Sequence, residues 1–201
     1  IRINNLKTYF FISNNFQSNI LNILASLAVM SIFLDMSKLK KNIFIDFKIP
    51  NGRGDIAKIK INNKNLNLID ESYNASPASV SATLKVLKES SPTGSGRRIA
   101  VLGDMLELGR RERVLHTALS EDVIEAGVSV VFTIGSRMLY LSQALPLSIS
   151  RHHFDNARAA IEPLVEGINQ GDVILIKGSF AIQMGLIVSA LRSRSQEAGA
   201  V

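Results

Sequence analysis

Polar side chains follow three apolar segments of the sequence, and each segment has the length of a buried strand. The polar clusters are residues 70–74 after 66–69, residues 103–107 after 99–102, and residues 177–179 after 173–176. Because the carboxyl ends of parallel strands meet at one edge of a sheet, we expect the clusters to converge there. Backbone amides beside a glycine can hold an anion, and Lys177 would add a compact positive charge. The pattern therefore predicts a site for a phosphate or carboxylate at that edge.

Each cluster also has a structural interpretation, and the residue types alone leave both open. Asp70 and Glu71 read equally well as a solvated strand end followed by a helix cap. Lys177 could enter a helix with its stem lying on apolar surface. Asp104, after Gly103, could simply form a turn.

Four further side chains are candidates for chemistry. Arg53, between two glycines, could stabilise a turn, or its guanidinium could make a bidentate contact with a phosphate. His116 falls on a predicted helix face, where a half-buried structural histidine is at least as well supported as a catalytic one. His152 and His153 lack carboxylates at ligand spacing, so we predict no metal site there.

The two common phosphate-binding sequence patterns are missing. The chain contains neither Gly-x-x-x-x-Gly-Lys-Ser/Thr nor Gly-x-Gly-x-x-Gly. We therefore expect that it does not hold a nucleoside triphosphate tightly by itself.

The elements that must position these residues alternate between strand and helix. Residues 56–61 and 66–70 read as a hairpin around a turn at 62–65, and Ser76 with Pro77 predicts a capped helix start. Further strands are predicted at 98–104, 128–134, 153–154 and 173–176, and further helices at 112–126, 136–144, 155–168 and 180–191. This alternation predicts an α/β fold, with a mostly parallel sheet and helices on both faces.

The first fifty residues have a different character. Residues 1–12 read as extended, residues 19–33 carry a helical apolar stripe, and a connector at 38–50 ends in a strong turn signal. The apolar segment 20–34 is too short for a membrane span and is interrupted by Asn22, Ser26 and Ser31. The chain starts at Ile1 and shows no secretory leader, so we read it as internal sequence.

Composition narrows the class of protein. The 201 residues include no cysteine, which excludes structural disulfides and thiolate zinc sites and fits a reducing, cytoplasmic location. The net charge is +6, but the basic residues are scattered and aromatic residues make up only 6%. We therefore expect no nucleic-acid partner.

Three motifs resemble those of the Mur ligases, specifically the branch that adds D-alanyl-D-alanine to a peptidoglycan precursor. They are Asp70-Glu71-Ser72-Tyr73-Asn74-Ala75-Ser76-Pro77, residues 100–109 reading Ala-Val-Leu-Gly-Asp-Met-Leu-Glu-Leu-Gly, and an apolar strand running into Lys177-Gly178-Ser179. The resemblance implies a Rossmann-like C-terminal Mur ligase domain at 49–201. Residues 1–48 would be a remnant of the central ATP-binding domain, because residues 18–28 are similar to its last helix.

The resemblance also implies roles for particular residues. In this family ATP phosphorylates the carboxylate of a UDP-N-acetylmuramoyl-tripeptide, and the amine of D-alanyl-D-alanine attacks the acyl phosphate. Asn22 would lie near adenine, Asp70 near the ribose, and Arg53 on the transferred phosphate. The residues facing the dipeptide would be Asn74, Asp104, Lys177 and Ser179. ATP and Mg²⁺ would be held mainly by domains outside this chain, which we expect to be a monomer.

The sequence also departs from the family pattern. Glu71 stands where an aspartate is usual, Ser76 where an asparagine is usual, and Phe180 where an arginine is usual. Because the phosphate loop, the magnesium ligands and the UDP-sugar domain lie upstream in the family, we expect this chain to fold but not to ligate alone.

Two alternative functions stay open at this point. One is a noncatalytic module that binds a nucleotide or peptide at the same edge. The other is a phospho-receiver-like domain, in which Asp104 would be phosphorylated and Thr133 and Lys177 would flank it.

Overall fold

The computed structural model describes residues 2–3, 6–7, 9–11, 17–45 and 50–197. The chain divides into two compact units, Ile1–Pro50 and Asn51–Val201. In the first unit, β1 (Arg2–Ile3) pairs antiparallel with β2 (Leu6–Lys7), and α1 spans Gln17–Met30. Ile23, Leu27 and Met36 form its small core. Helix α1 confirms the predicted helix, although it begins two residues earlier and ends before Phe33.

Parts of two predictions for the first unit lie outside the described residues. These are positions 1, 4–5, 8 and 12 of the extended segment and positions 46–49 of the connector. Among the helices that the structure describes, none is both long and apolar enough to cross a membrane.

The second unit is built on a six-stranded sheet. Its strands are β3 (Asp55–Ile61), β4 (Lys64–Glu71), β5 (Arg98–Gly103), β6 (Val130–Ile134), β7 (Ser150–Phe154) and β8 (Val173–Lys177). The spatial order is β3-β4-β8-β5-β6-β7, and only the edge strand β3 runs antiparallel to its neighbour. The predicted mostly parallel sheet is confirmed.

Helices cover both faces of this sheet, as predicted. They are α2 (Pro77–Glu89), α3 (Glu112–Glu125), α4 (Leu139–Ala144), α5 (Ala157–Gly167) and α6 (Gly185–Glu197). Apolar residues of α2, α3 and α4 form one core with alternate strand residues such as Leu102 and Leu175. Residues of α5 and α6 form a second core with the intervening strand residues, such as Val101 and Ile176.

The hairpin that opens the sheet has a tighter turn than predicted. Asn62 and Asn63 form it alone, with φ of +49° and +62°, while Lys64 and Asn65 already belong to β4. A two-residue hairpin turn of this type needs positive φ at both positions, and asparagine tolerates that conformation better than most residues. The turn fixes the register that pairs Asp55 with Asp70 at the other end of the hairpin.

Two helix starts determine how the chain leaves the sheet. Ser76 caps α2 by accepting a hydrogen bond from the Ser79 amide, and Pro77 is the first helical residue, which confirms that prediction. The prediction that one helix spans 180–191 is wrong about where the helix begins. Phe180–Ile182 form a 3-10 turn, and Gln183 adopts a left-handed conformation, with φ of +59°, that ends this turn before α6 begins.

Candidate functional site

The three predicted polar clusters meet at one edge of the sheet. In the strand pairing, Lys177 of β8 stands level with Glu71 of β4 and with Leu102 of β5. The carboxyl ends of these three neighbouring strands are therefore flush. We call the edge formed by residues 70–74, 103–107 and 177–180 the carboxyl rim.

The pleat of the strands sends the rim side chains to opposite faces of the sheet. Asp70 faces the same side as Leu68, two residues earlier, whose core contains α5 and α6, and its carboxylate lies near Arg192 of α6. Lys177 faces the same side as Leu175, two residues earlier, whose core contains α2, α3 and α4. The rim therefore has an α6 side, which carries Asp70, and an α2 side, which carries Lys177.

Lys177 is a buried, partnered lysine rather than a free cation. Its side chain is 2% exposed, and Nζ donates to Glu71 Oε2 at 3.2 Å and to the Asn74 carbonyl at 2.9 Å. Burial lowers the pKa of Lys177 below 10.5, and the nearby Arg53 lowers the pKa further, while Glu71 opposes this shift. Lys177 thus ties β8 to the turn after β4.

Asp104 lies on the rim, but its carboxylate points into the protein. It is 2% exposed, and Oδ1 accepts a hydrogen bond of 2.8 Å from the Met138 amide. Oδ2 lies 3.6 Å from Arg137 Nη1. The predicted contact of Asp104 with a ligand finds no support in these surroundings, because the carboxylate already holds the chain after β6.

Ser179 joins two loops of the rim. Its amide donates to the Asp104 carbonyl at 3.0 Å, and its Oγ accepts from the Leu106 amide at 2.9 Å. The hydroxyl proton is left to donate elsewhere. A ligand on the α2 side of the rim would therefore meet a fixed surface made by both loops.

His116 has the structural role that the sequence left open. The ring is fully buried, with Nδ1 donating to the Glu112 carbonyl at 2.7 Å and Nε2 accepting from the Met105 amide at 3.0 Å. A carbonyl can only accept and an amide can only donate, so these partners require one neutral tautomer. His116 fastens the loop after β5 to α3.

Arg53 is an exposed cation held close to the rim. The Gly52 carbonyl accepts from the Tyr73 amide at 3.1 Å, and the Gly54 amide donates to the Asp70 carbonyl at 2.9 Å. Gly52 has φ of +76°, and a Cβ there would lie 2.9 Å from the Tyr73 nitrogen. The Arg53 guanidinium lies 4.3 Å from the centroid of the Tyr73 ring and forms no salt bridge within the described part of the chain.

The remaining predicted residues are exposed. Asn74 is exposed, and its Oδ1 accepts a hydrogen bond of 2.8 Å from the Ala75 amide. Asn22 lies on α1 in the first unit, where its carbonyl accepts from Ser26 Oγ at 2.9 Å. Asn22 is thus in a different unit from the other six predicted residues.

On the α6 side of the rim, Asp70 lies at a cavity of about 480 Å³. Its Oδ1 accepts from the Ser72 hydroxyl at 2.6 Å, and its Oδ2 lies 3.6 Å from Arg192 Nη2. Sequence reasoning missed Arg192, which belongs to no motif. Gly185, Val188, Ser189 and Arg192 line the cavity from one face of α6, and this helical spacing is the signal that could have placed Arg192 there.

Neither a metal centre nor a phospho-receiver is supported by these surroundings. Within the ranges that the structure describes, no three His, Cys, Asp or Glu side chains are grouped to hold a metal ion. A phosphorylated aspartate must be open to solvent, whereas the Asp104 carboxylate is buried and accepts a hydrogen bond from the Met138 amide.

Comparison with known proteins gives one family. Residues 56–180 match the family model described as Mur ligase, glutamate ligase domain. The UDP-N-acetylmuramoyl-tripeptide–D-alanyl-D-alanine ligase of Rickettsia prowazekii is 30% identical over 178 residues, which are 89% of this chain and 37% of the relative. The enzyme of the same name from Escherichia coli is 32% identical over 177 residues, which are 87% of this chain and 37% of that relative. The chain thus spans well under half the length of these relatives.

Solved structures share the fold. The MurF ligase from Thermotoga maritima in complex with ADP superimposes with a TM-score of 0.71 at 23% identity, over 94% of this chain and 41% of that one. MurF from Acinetobacter baumannii superimposes with a TM-score of 0.73 at 21% identity, over 92% of this chain and 40% of that one.

Proposed function

Because the chain belongs to the Mur ligase family, we propose that it is the C-terminal part of an ATP-dependent amide ligase. The ligase joins D-alanyl-D-alanine to a UDP-N-acetylmuramoyl-tripeptide, the reaction in the names of the curated relatives. We place it in the cytoplasm, as a monomer. Residues 1–48 are the end of the ATP-binding domain in this proposal, and residues 49–201 are the C-terminal domain.

The observation that carries the proposal is the Arg53 guanidinium, which is exposed at the rim without a carboxylate partner in the described chain. Two glycine-containing backbone contacts hold its segment against 70–73, and the guanidinium lies over the Tyr73 ring. A guanidinium at this position suits phosphoryl transfer, in which positioning and charge neutralisation provide most of the catalysis.

The reaction has two steps, and residues of the chain act in both. A carboxylate oxygen of the tripeptide attacks the γ-phosphorus of ATP and ADP leaves, while Arg53 neutralises the charge on the transferred group. The neutral amine of D-alanyl-D-alanine then attacks the acyl carbon, the bond from this carbon to the phosphate oxygen breaks, and inorganic phosphate leaves while the nitrogen loses a proton to solvent. Asn74 and Ser179 offer a side-chain amide and a hydroxyl to the dipeptide. Lys177 acts by fixing the turn that carries Asn74.

The other ATP contacts in this proposal come from Asn22 near adenine and Asp70 near the ribose. Residues outside the present sequence provide the phosphate loop and most of the Mg²⁺ coordination. The 201 residues by themselves should therefore form no product, although the rim should still bind ligands weakly.

A chimera tests the proposal. The C-terminal part of the Rickettsia prowazekii ligase that aligns with this chain is replaced by the chain, and ATP-dependent amide formation is measured. We expect product from the chimera and none from the 201 residues alone. A chimera that melts cooperatively, yet makes no product where the unmodified relative does, would contradict the proposed function.

A further inference from the structure

Two aromatic rings lie in line with Arg53 at the rim. The central carbon of the guanidinium is 4.3 Å from the centroid of the Tyr73 ring, well inside the roughly 6 Å over which a ring face attracts a cation. Tyr73 in turn packs against Phe180, with the ring centroids 5.6 Å apart and the ring planes at 54°. Arg53, Tyr73 and Phe180 are therefore three side chains in successive contact, and we call them the aromatic row.

The backbone beneath the aromatic row is anchored at three places. The Tyr73 amide donates to the Gly52 carbonyl at 3.1 Å, directly beside Arg53. Phe180 opens a 3-10 turn, in which its carbonyl accepts from the Gln183 amide at 3.0 Å. The row thus joins the segment before β3, the turn after β4 and the turn after β8.

An anchored backbone does not by itself hold an arginine side chain. The side chain has several rotatable bonds, and ordering them when a ligand arrives costs conformational entropy. Arg53 has no carboxylate partner among the described residues, so the Tyr73 ring face is the contact that restrains its guanidinium. Because a ring face attracts a cation without neutralising its charge, the charge stays available to a phosphate.

Phe180 contributes little to the hydrophobic core. Its side chain is 71% exposed, and among the large apolar residues of the described second unit only Leu147 is more exposed. A ring that stays in water gains little from burial, whereas a packed aromatic pair is stabilised beyond its buried area. The contact with Tyr73 is therefore what Phe180 adds to the rim.

The charges nearby favour an aromatic residue at position 180 over a cation. Burial lowers the pKa of Lys177, and the charge of Arg53 lowers this pKa further, so the two cations already act on each other. An arginine at 180, the residue that is usual in the family, would bring a third positive charge to the same region. It would also remove the ring that packs on Tyr73.

We propose that Tyr73 and Phe180 are positioning residues that hold the Arg53 guanidinium in place for the transferred phosphate. This inference deepens the proposed function and rests on it, since it concerns how that arginine is oriented. Neither ring touches the reacting atoms in this arrangement. The device belongs to this chain in particular, because Phe180 departs from the family pattern.

The kinetic test uses the active chimera. Tyr73→Leu should lower kcat for amide formation about tenfold, because a misplaced catalytic group loses much of its effect. The KM for ATP should change little, because the contact with Arg53 matters most in the transition state. Tyr73→Phe keeps the ring face and should keep the rate. Phe180→Leu and Phe180→Arg both remove the second ring and should lower kcat about threefold.

A double-mutant cycle shows whether the rings act through Arg53. In the Arg53→Ala background, Tyr73→Leu should have no further effect on kcat. Tyr140→Leu is the matched control and should leave the rate unchanged, because Tyr140 faces Arg113 at 5.6 Å in a similar contact that joins α3 to α4. Equal losses from Tyr73→Leu in both backgrounds, a Tyr73→Leu rate equal to that of Tyr140→Leu, or a Phe180→Arg rate equal to wild type would overturn the inference.

A measurement on the 201-residue chain needs no catalysis. In NMR spectra the Tyr73 ring should shift the δ-methylene protons of Arg53 upfield, Tyr73→Leu should abolish this shift, and Phe180→Leu should reduce it. An unshifted Arg53 signal in wild type, or a shift that survives Tyr73→Leu, would overturn the inference. If the shift behaves as expected while Arg53→Ala ligates as fast as wild type in the chimera, the proposed role of Arg53 in phosphoryl transfer fails instead.

Discussion

Replacing Arg53 by alanine in the active chimera is expected to lower the rate of amide formation about a thousandfold, the lower end of what a transition-state arginine contributes to phosphoryl transfer. Backbone contacts of Gly52 and Gly54 hold the Arg53 segment against Tyr73 and Asp70, and the guanidinium lies over the Tyr73 ring without a competing ion pair in the described chain. Its charge is therefore available where negative charge is transferred. Because the contact strengthens as the phosphoryl group moves, kcat should fall more than the KM for ATP changes.

The controls for Arg53 separate charge, geometry and folding. Arg53→Lys keeps the charge but cannot make a bidentate contact, so its rate of amide formation should lie between those of wild type and Arg53→Ala. Lys58→Ala removes an exposed charge from the same hairpin and should leave the rate unchanged. A rate for Arg53→Ala equal to that for Lys58→Ala would contradict the proposed role.

Replacing Lys177 by methionine is expected to lower the free energy of unfolding by about 3 kcal/mol, the lower end for breaking a buried ion pair. The substitution leaves Glu71 without its partner and the Asn74 carbonyl without its donor. The Glu71 side chain is 17% exposed, so some water reaches it and the loss stays at the lower end. Urea unfolding measures the change.

Two variants show whether burial explains this loss. Lys88→Met breaks the exposed pair with Glu125, in which Nζ lies at 2.9 Å from the carboxylate, and should cost under about 1 kcal/mol. Adding Glu71→Leu to Lys177→Met removes the unpaired carboxylate and should restore part of the stability. If the single Lys177 variant were no less stable than Lys88→Met, the buried pair would not have the role assigned to it.

The stability difference between wild type and Lys177→Met should also depend on pH. Burial lowers the pKa of Lys177 in the folded state below the 10.5 of the unfolded chain. Between these two pKa values the unfolded state binds a proton that the folded state has lost, so stability rises with pH. Wild type should therefore gain stability over the methionine variant as the pH rises through this window. A difference that falls with pH in the same window would contradict the lowered pKa.

Much of the fold could be predicted from local pattern. The switch from a period of two along 56–61 and 66–70 to a helical period after Pro77 is a local property of the sequence. The convergence of the three clusters followed from one general rule, that parallel strands end at a common edge. Both predictions are confirmed because they require no knowledge of distant contacts.

The site was harder to predict because its details depend on which strands are neighbours. Nothing local pairs Lys177 with Glu71, which is 106 residues away, since that pairing needs β8 to lie beside β4. The burial of Asp104 depends on the end of β6, where a Cβ on Gly135 would lie 2.5 Å from the Asp104 carboxyl carbon. Arg192 lines the cavity from α6, which begins only after Gln183 has ended the preceding 3-10 turn.

Titration of the 201-residue chain with ADP tests most directly whether the carboxyl rim of the second unit binds the nucleotide of an ATP-dependent ligase. The amide NMR signals of residues 52–54 and 70–73 should shift, and Arg53→Ala should weaken the effect. The signals of residues 62–65 and 169–172, at the opposite edge of the sheet, should not move. Shifts confined to that opposite edge, or none at saturating ADP, would contradict the claim.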